Sequence, residues 1–170
     1  MATAASVISV EEYLSHTYEP DCDYIDGHLE ERNLGEFDHA WLQTALVSYL
    51  FARRKQWNIT PVVEQRIQVT PVRFRVPDIC VLLGAEPAEQ ILTKPPFLCI
   101  EILSPEDRMS RIERRIADYF AMGVAYVWVL DPESRQAYIA TAAEGLHETK
   151  SGILRTENPT LEVSLAELFA

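Results

Sequence analysis

Two acidic residues interrupt two otherwise apolar stretches of the sequence. Asp78 lies in "VPDICVL" and Glu101 lies in "FLCIEIL". Because side chains alternate along a strand, an antiparallel pairing that sets Asp78 opposite Glu101 also sets Cys80 opposite Cys99. Two adjacent carboxylates in an apolar sheet repel each other, so at least one takes up a proton unless a cation lies between them. Hard oxygen ligands of this kind suit Mg²⁺ or Mn²⁺.

The same two acids also have a purely structural explanation. Each carboxylate could pair with one of the chain's many arginines, or lie at the end of its strand in water. The residues alone leave the metal site and the ion pairs as open alternatives.

A predicted helix after Glu101 brings cationic side chains to the same region. Ser104 is the predicted N-cap, with a proline at the first helical position, and Gly123 is the predicted end of the helix. One stripe of this helix is apolar and is formed by Met109, Ile112, Ile116, Tyr119 and Phe120. The adjoining face carries Arg108, Arg111 and Arg115. These arginines either lean towards the two acids or form a solvated face that pairs internally through Asp118.

The elements that position these residues alternate between helices and strands. A capping box at Ser9 predicts a short helix, Asp26-Gly27 predicts a β-hairpin, and Asp38 is the predicted N-cap of a long helix. Strands are predicted at residues 59–63, 66–69, 74–83, 97–103, 124–130 and 136–141, followed by a strand near residue 161 and a helix from residue 164. We therefore predict one α+β domain over residues 1–170, a mixed central sheet flanked by helices, with a frayed tail at residues 1–7.

Composition limits the class of protein. The chain has 170 residues, of which 48% are hydrophobic, and its net charge is −11, which argues against a general nucleic-acid coating protein but leaves room for a local basic cleft. The three cysteines show no metal or redox spacing, which predicts small buried hydrophobes in a reducing cytoplasm. No signal peptide or membrane span is predicted.

The motifs around the two acids resemble those of a known family. The stretch "VPDICVL" followed by "PPFLCIEILSPEDRMSRIERRIADYFAMGVAYVWVLDP" is similar to the Uma-two family of restriction-endonuclease-like proteins. The likeness extends from about "YIDGHLEER" to "LDPESRQAYI", and its Pro-Asp, Glu-Ile-Leu-Ser-Pro and Gly-Val-x-x-x-Trp-Val-x-Asp-Pro elements are the most specific. The resemblance implies the fold of the PD-(D/E)XK nucleases, a mixed central sheet between helices.

The resemblance also implies roles for particular residues. Asp78 and Glu101 match the two metal-binding acids. The lysine usual two residues after the second acid is replaced by Leu103, and its function is expected to move to the following helix, at Arg115. Because an arginine does not lose its proton in a protein, Arg115 could stabilise charge or hold a phosphate but not act as a general base. Lys94 is an alternative cation.

Two further positions match the family less closely. Glu31 corresponds to an additional acid from the N-terminal region. His39 lies near the family's histidine at the start of the long helix, although a lone histidine is also compatible with a structural role.

We therefore predict a Mg²⁺-dependent (or Mn²⁺-dependent) DNA endonuclease that acts as a homodimer. Asp78 and Glu101 would bind the metal, Arg115 would hold the scissile phosphate and Glu31 would orient metal or water. The predicted contacts to nucleic acid are Arg108, Arg111 and His39. Two alternatives remain: a catalytically inactive DNA-binding or regulatory module, which the replacement of lysine by arginine suggests, and a protein-interaction component, which the acidic surface suggests.

Overall fold

A computed structural model of the protein describes residues 7–33 and 35–170. The predicted frayed tail therefore lies, apart from Val7, outside the described residues, and the extent of the domain stays a prediction. The helices are α1 (Val10–Ser15), α2 (Phe37–Ala52), α3 (Arg54–Trp57), α4 (Met109–Met122) and α5 (Leu165–Leu168). The strands are β1 (Cys22–Ile25), β2 (His28–Glu31), β3 (Ile59–Val63), β4 (Ile67–Thr70), β5 (Arg73–Arg75), β6 (Ile79–Leu83), β7 (Leu98–Ile102), β8 (Tyr126–Asp131), β9 (Gln136–Thr141), β10 (Gly145–Glu148), β11 (Ile153–Arg155) and β12 (Glu162–Ser164).

The central sheet has six strands in the order β10-β9-β8-β7-β6-β3. Strands β7 and β8 are parallel and the other neighbours are antiparallel, which confirms the predicted mixed sheet. One face packs against α2, which contributes Leu42, Leu46 and Leu50 to that core. The other face packs against α4, which contributes Ile112, Ile116 and Tyr119. In the part of the chain that the structure describes, no helix is long and apolar enough to cross a membrane.

A second sheet, of four strands, carries the N-terminal part of the chain. Its order is β2-β1-β5-β4, and α1 packs on it through Tyr13, against Tyr24 and Phe74. The predicted cap of α1 is confirmed, since the Ser9 hydroxyl accepts the Glu12 amide N–H at 3.1 Å. The predicted hairpin is confirmed as the β1–β2 turn. Strands β11 and β12 form a separate pair.

The pairing of β6 with β7 sets the geometry of the two acids. Cys80 faces Cys99 and Ile79 faces Ile100 in an antiparallel register, which is the predicted pairing. Asp78 comes one residue before β6 and Glu101 lies near the end of β7, so the register brings them to the same end of the strand pair. The thiols of Cys80 and Cys99 are fully buried in the core beneath α4.

The predicted strand at residues 74–83 is wrong, because two strands of different sheets occupy it. Strand β5 ends at Arg75 in the four-stranded sheet, and β6 begins at Ile79 in the central sheet. Pro77 lies between them and has no N–H for a sheet ladder. The Val76 amide instead donates to the Asp23 carboxylate at 2.9 Å. Asp78 therefore lies where the chain passes from one sheet to the other.

Two predicted helix starts are also wrong. Helix α2 begins at Phe37 with Glu36 as its N-cap, so Asp38 lies inside the first turn. Helix α4 begins at Met109 instead of directly after Ser104. The reason is a turn at residues 104–107, in which the Asp107 carboxylate accepts the Ser104 amide N–H at 2.7 Å. The predicted end of α4 at Gly123 is confirmed, with φ +106°.

Candidate functional site

A small cavity opens where β6 begins and β7 ends, beneath the first turns of α2 and α4. Its volume is about 30 Å³, which is room for roughly one or two water-sized groups. The residues that line it and carry charge or can titrate include Arg32, His39, Asp78, Glu101, Arg111 and Arg115. The cavity is therefore small, polar and lined by side chains of both signs.

Asp78 is almost completely buried and every one of its close contacts is a donor. Arg32 Nη2 lies 2.7 Å from Oδ1, and the Ile102 amide donates to Oδ2 at 2.7 Å. His39 Nε2 lies 3.4 Å from the same Oδ2. Burial acts to raise the pKa of Asp78, but the hydrogen bond from His39 and the charge of Arg32 outweigh it and hold this pKa below its usual value.

The contact with Asp78 also affects the protonation of His39. Burial acts to lower the pKa of His39, but the hydrogen bond to Asp78 and the charge of that carboxylate outweigh burial and raise the pKa. The imidazole is thus biased towards its charged form at the cavity wall.

Glu101 has the opposite protonation behaviour. Arg115 Nη1 lies 2.8 Å from Oε2, and the Tyr119 hydroxyl donates to Oε1. Burial, with the negative charge of Asp78, raises the pKa of Glu101 to about 7 in spite of the opposing Arg115 and Tyr119 contacts. At Glu101, unlike at Asp78, the neighbouring donors therefore do not offset the cost of burying the charged carboxylate.

Arg115 is fixed in place by two buried acids. Its Nη1 donates to Glu101, and its Nη2 donates to Asp23 Oδ2 at 2.8 Å. Asp23 is fully buried and also accepts from Arg75 Nη1 at 2.9 Å. Arg75 in turn donates from Nε to Asp118 at 2.8 Å. This chain of charged hydrogen bonds ties α4 to strands β1, β5 and β7.

Sequence comparison decides the family of the protein. The family model Uma2, described as "Putative restriction endonuclease", matches residues 10–169. The chain belongs to the Uma2 family. The resemblance carried by the sequence motifs is thereby confirmed.

Structural comparison agrees with the Uma2 assignment. A crystal structure of a "putative nuclease belonging to DUF820" from Anabaena variabilis matches with a TM-score of 0.82 and 22% sequence identity. The match covers 95% of this chain and 97% of that chain, so the predicted nuclease-like fold is confirmed. No curated protein matches the chain. The Uma2 family and the fold together support a nuclease role.

The structure of this Uma2 protein brings most of the predicted site residues together. Asp78, Glu101, Arg115, His39 and Arg111 all line the same cavity. Both acids are also paired with arginines, which is the structural alternative that the sequence left open.

Two predicted residues lie outside the cavity. Arg108 is exposed just before α4. Glu31 is exposed at the end of β2, where its backbone carbonyl accepts a hydrogen bond from Arg111. Because side chains alternate along β2, the carboxylate of Glu30 is the one directed inward, and it contacts Arg75 at 2.9 Å and Arg111 at 3.2 Å. The geometry gives no support to a role for the Glu31 carboxylate.

Sequence reasoning missed two residues of the site, Asp23 and Arg32. Asp23 interrupts the buried stretch "CDYI" in the same way that Asp78 and Glu101 interrupt theirs, so the same signal could have found it. Arg32 follows a strand in a charged segment, and no sequence signal separates it from a solvated arginine.

The donors of the cavity fit a divalent cation of the Mg²⁺ type. Asp78 and Glu101 offer hard carboxylate oxygens, and a cation would favour the charged form of Glu101, whose pKa is raised mainly by burial and further by the charge of Asp78. Within residues 7–33 and 35–170, no group of three or more His, Cys, Asp or Glu side chains is placed to hold a metal. A cation held by these two carboxylates would therefore keep several water ligands, as is usual for Mg²⁺.

Proposed function

We propose that this protein is a metal-dependent endonuclease that hydrolyses DNA phosphodiester bonds with Mg²⁺ or Mn²⁺. The observation that supports the proposal most directly is the shared cavity, in which one carboxylate just before β6 and one on β7 each contact a guanidinium group. Carboxylate oxygens suit the cation, and guanidinium groups suit the phosphate. The family and the fold support the same class of reaction.

Asp78 and Glu101 would hold the cation, which when bound supplies an acidified water and a polarised phosphate oxygen. Arg115 would offset the charge that develops on the phosphate, because its guanidinium is held at the cavity by Glu101 and Asp23 and keeps further N–H donors. It would not accept the proton of the attacking water. His39, biased towards its charged form, would donate to Asp78 or to a phosphate oxygen.

The arginines around the cavity would guide the DNA backbone. Arg111 lines the cavity between Glu30 and Asn33, and the exposed Arg108 precedes it by less than one helical turn. Contacts of this kind position the backbone without reading its sequence. The predicted role of Glu31 stays a prediction.

Plasmid cleavage with variants of Asp78 tests the proposal. Wild type should nick supercoiled plasmid in Mn²⁺ or Mg²⁺ and stop in EDTA. The Asp78→Asn variant should be slower by about 100-fold or more, because it removes a charged ligand while keeping the side-chain shape. The matched control is Glu157→Gln, an exposed acid paired with Arg155 far along the chain, which should cleave at the wild-type rate. Equal rates for wild type and Asp78→Asn would end the proposal.

We also propose a homodimer, since cutting both strands of a duplex is simplest with two active sites. Sedimentation equilibrium should give twice the mass of the 170-residue chain. A monomer mass, together with nicking but no linear plasmid, would contradict the dimer and leave the nuclease proposal intact.

A second candidate function is a catalytically inactive DNA-binding or regulatory module. The observation that favours it is the arginine at position 115 together with the pairing of both acids to arginines. Calorimetry separates the two candidates, since a nuclease of this type should bind Mn²⁺ and an inactive module need not. DNA affinity that does not fall as salt rises would exclude both, and would favour a protein-interaction component.

A further inference from the structure

Arg32 differs from Arg115 in how it is held at the cavity. Its Nη2 lies 2.7 Å from Asp78 Oδ1, whereas its other acidic neighbour, Asp21, is 3.9 Å away and 40% exposed. Arg115 has two buried carboxylates at 2.8 Å each. Among the described residues, Arg32 therefore has one strong ionic contact, and that contact is the acid proposed to hold the cation.

A cation bound at Asp78 would compete with Arg32 for the same carboxylate. The second oxygen of Asp78 already accepts the Ile102 amide N–H and lies beside His39, so Oδ1 is the more available ligand atom. Two positive groups that share one carboxylate oxygen repel each other strongly in a buried site. A cation bound at Asp78 would therefore weaken the contact of this carboxylate with Arg32 and favour release of the guanidinium.

The displaced guanidinium has a second anionic partner within the proposed reaction. The Arg32 side chain lines the cavity and is 12% exposed, while its backbone N–H is fixed to the Asp21 carbonyl at 2.9 Å. A phosphate that binds the same cation would bring two oxygens to the cavity mouth. Guanidinium groups bind such oxygens in pairs, with favourable geometry and charge.

We propose that Arg32 exchanges between two partners: the Asp78 carboxylate in the cation-free protein and the substrate phosphate in the cation-bound protein. Arg115 stays at the cavity while Arg32 moves, because Arg115 is also held by the buried Asp23, which is not a proposed ligand of the cation. This inference rests on the proposed function and adds a second arginine that contacts substrate.

Calorimetric titration of Mn²⁺ tests the competition directly. Arg32→Gln removes the competing charge, while its amide can still donate to Asp78, so it should bind Mn²⁺ about tenfold more tightly than wild type or better. Arg32→Lys, which keeps the charge, should restore an affinity close to that of wild type. The matched control is Arg155→Gln at an exposed ion pair, which should bind as wild type does. Affinity in Arg32→Gln that equals or falls below that of wild type would overturn the inference.

DNA binding tests the second half of the exchange. Fluorescence anisotropy with a labelled duplex is measured in Ca²⁺, which takes the same oxygen ligands as Mg²⁺, and again in EDTA. Arg32→Gln should lower DNA affinity about tenfold in Ca²⁺ and leave it within about twofold of wild type in EDTA. An equal loss in both conditions would mean that Arg32 contacts DNA without leaving Asp78 for a cation, and would refute the exchange.

The outcomes separate this inference from the proposed function. If wild type and Arg32→Gln bind Mn²⁺ equally while Asp78→Asn does not bind it, the exchange is wrong and the metal site stands. If no variant binds Mn²⁺, the metal site and the exchange both fall. Far-UV circular dichroism is used to check that each variant is folded before its binding result is interpreted.

Discussion

Glu101 should make the metal-free protein less stable as the pH rises, and Glu101→Gln should remove most of that loss. The cause is the pKa of Glu101, which burial and the charge of Asp78 raise to about 7 from an ordinary value of 4.5. Between these two values the folded protein binds a proton that the unfolded chain has released. The free energy of unfolding therefore falls as pH rises through this range.

The size of the effect follows from the shift in pKa. At ~1.4 kcal/mol per pKa unit, the difference between 4.5 and about 7 corresponds to about 3 kcal/mol of lost stability. His39 acts in the same direction, because its pKa is raised above 6.5 and its contribution is lost as pH rises through the folded value. Asp78 and Glu30 have lowered pKa values, so their contributions are lost only at more acidic pH.

The assay is urea unfolding in EDTA, followed by far-UV circular dichroism between about pH 5 and about pH 8. Wild type should lose about 3 kcal/mol across this range, and Glu101→Gln should keep only the smaller loss due to His39. A combined Glu101→Gln and His39→Gln variant should be nearly independent of pH. Wild-type stability that stays constant or rises with pH would refute the account of Glu101, and so would an unchanged slope in Glu101→Gln.

Two further predictions concern stability alone, both measured by urea unfolding. Asp23→Ala should lower the free energy of unfolding by about 3–5 kcal/mol, because it leaves two buried guanidinium groups without their shared carboxylate. The control Glu157→Ala, at an exposed ion pair, should lower it by less than ~1 kcal/mol. Similar losses for the two variants would contradict the buried network. Gly123→Ala should lower the free energy of unfolding by about 1–3 kcal/mol, because φ is +106° and a Cβ would lie 3.4 Å from Pro95 Cγ. An unchanged urea midpoint of unfolding would mean that α4 does not end in this conformation.

The geometry of the two acids could be predicted because alternation along a strand leaves few choices. Once Asp78 and Glu101 share a face, the apolar residues between them allow one register, and the structure has it. The start of α4 could not be predicted in the same way. Ser104 is a residue type that favours the N-cap position, but the turn at residues 104–107 is held by a hydrogen bond from Asn33 to Asp107. Asn33 is distant in the chain, so local sequence preferences do not predict this contact.

The choice among acids of the first hairpin shows the same limit. Resemblance points to Glu31, yet alternation along β1 and β2 directs Asp23 and Glu30 inward. The decision depends on which face of the hairpin packs against α4, and that is a tertiary contact. Arg32 was missed for a similar reason, since its partner Asp78 lies 46 residues away.

The contact between Asp23 and Arg115 spans 92 residues of chain. Consider a partly folded chain in which α4 has packed on the central sheet but the β1–β2 hairpin has not yet packed. Arg75 and Arg115 would then lie near each other without the Asp23 carboxylate that they share. In such a state Arg75 would keep Asp118 and Arg115 would keep Glu101, but the buried acid that the two arginines share would be missing, so the population of this state should be small. We therefore expect the pocket and the surrounding architecture to be lost in one cooperative step when the protein unfolds.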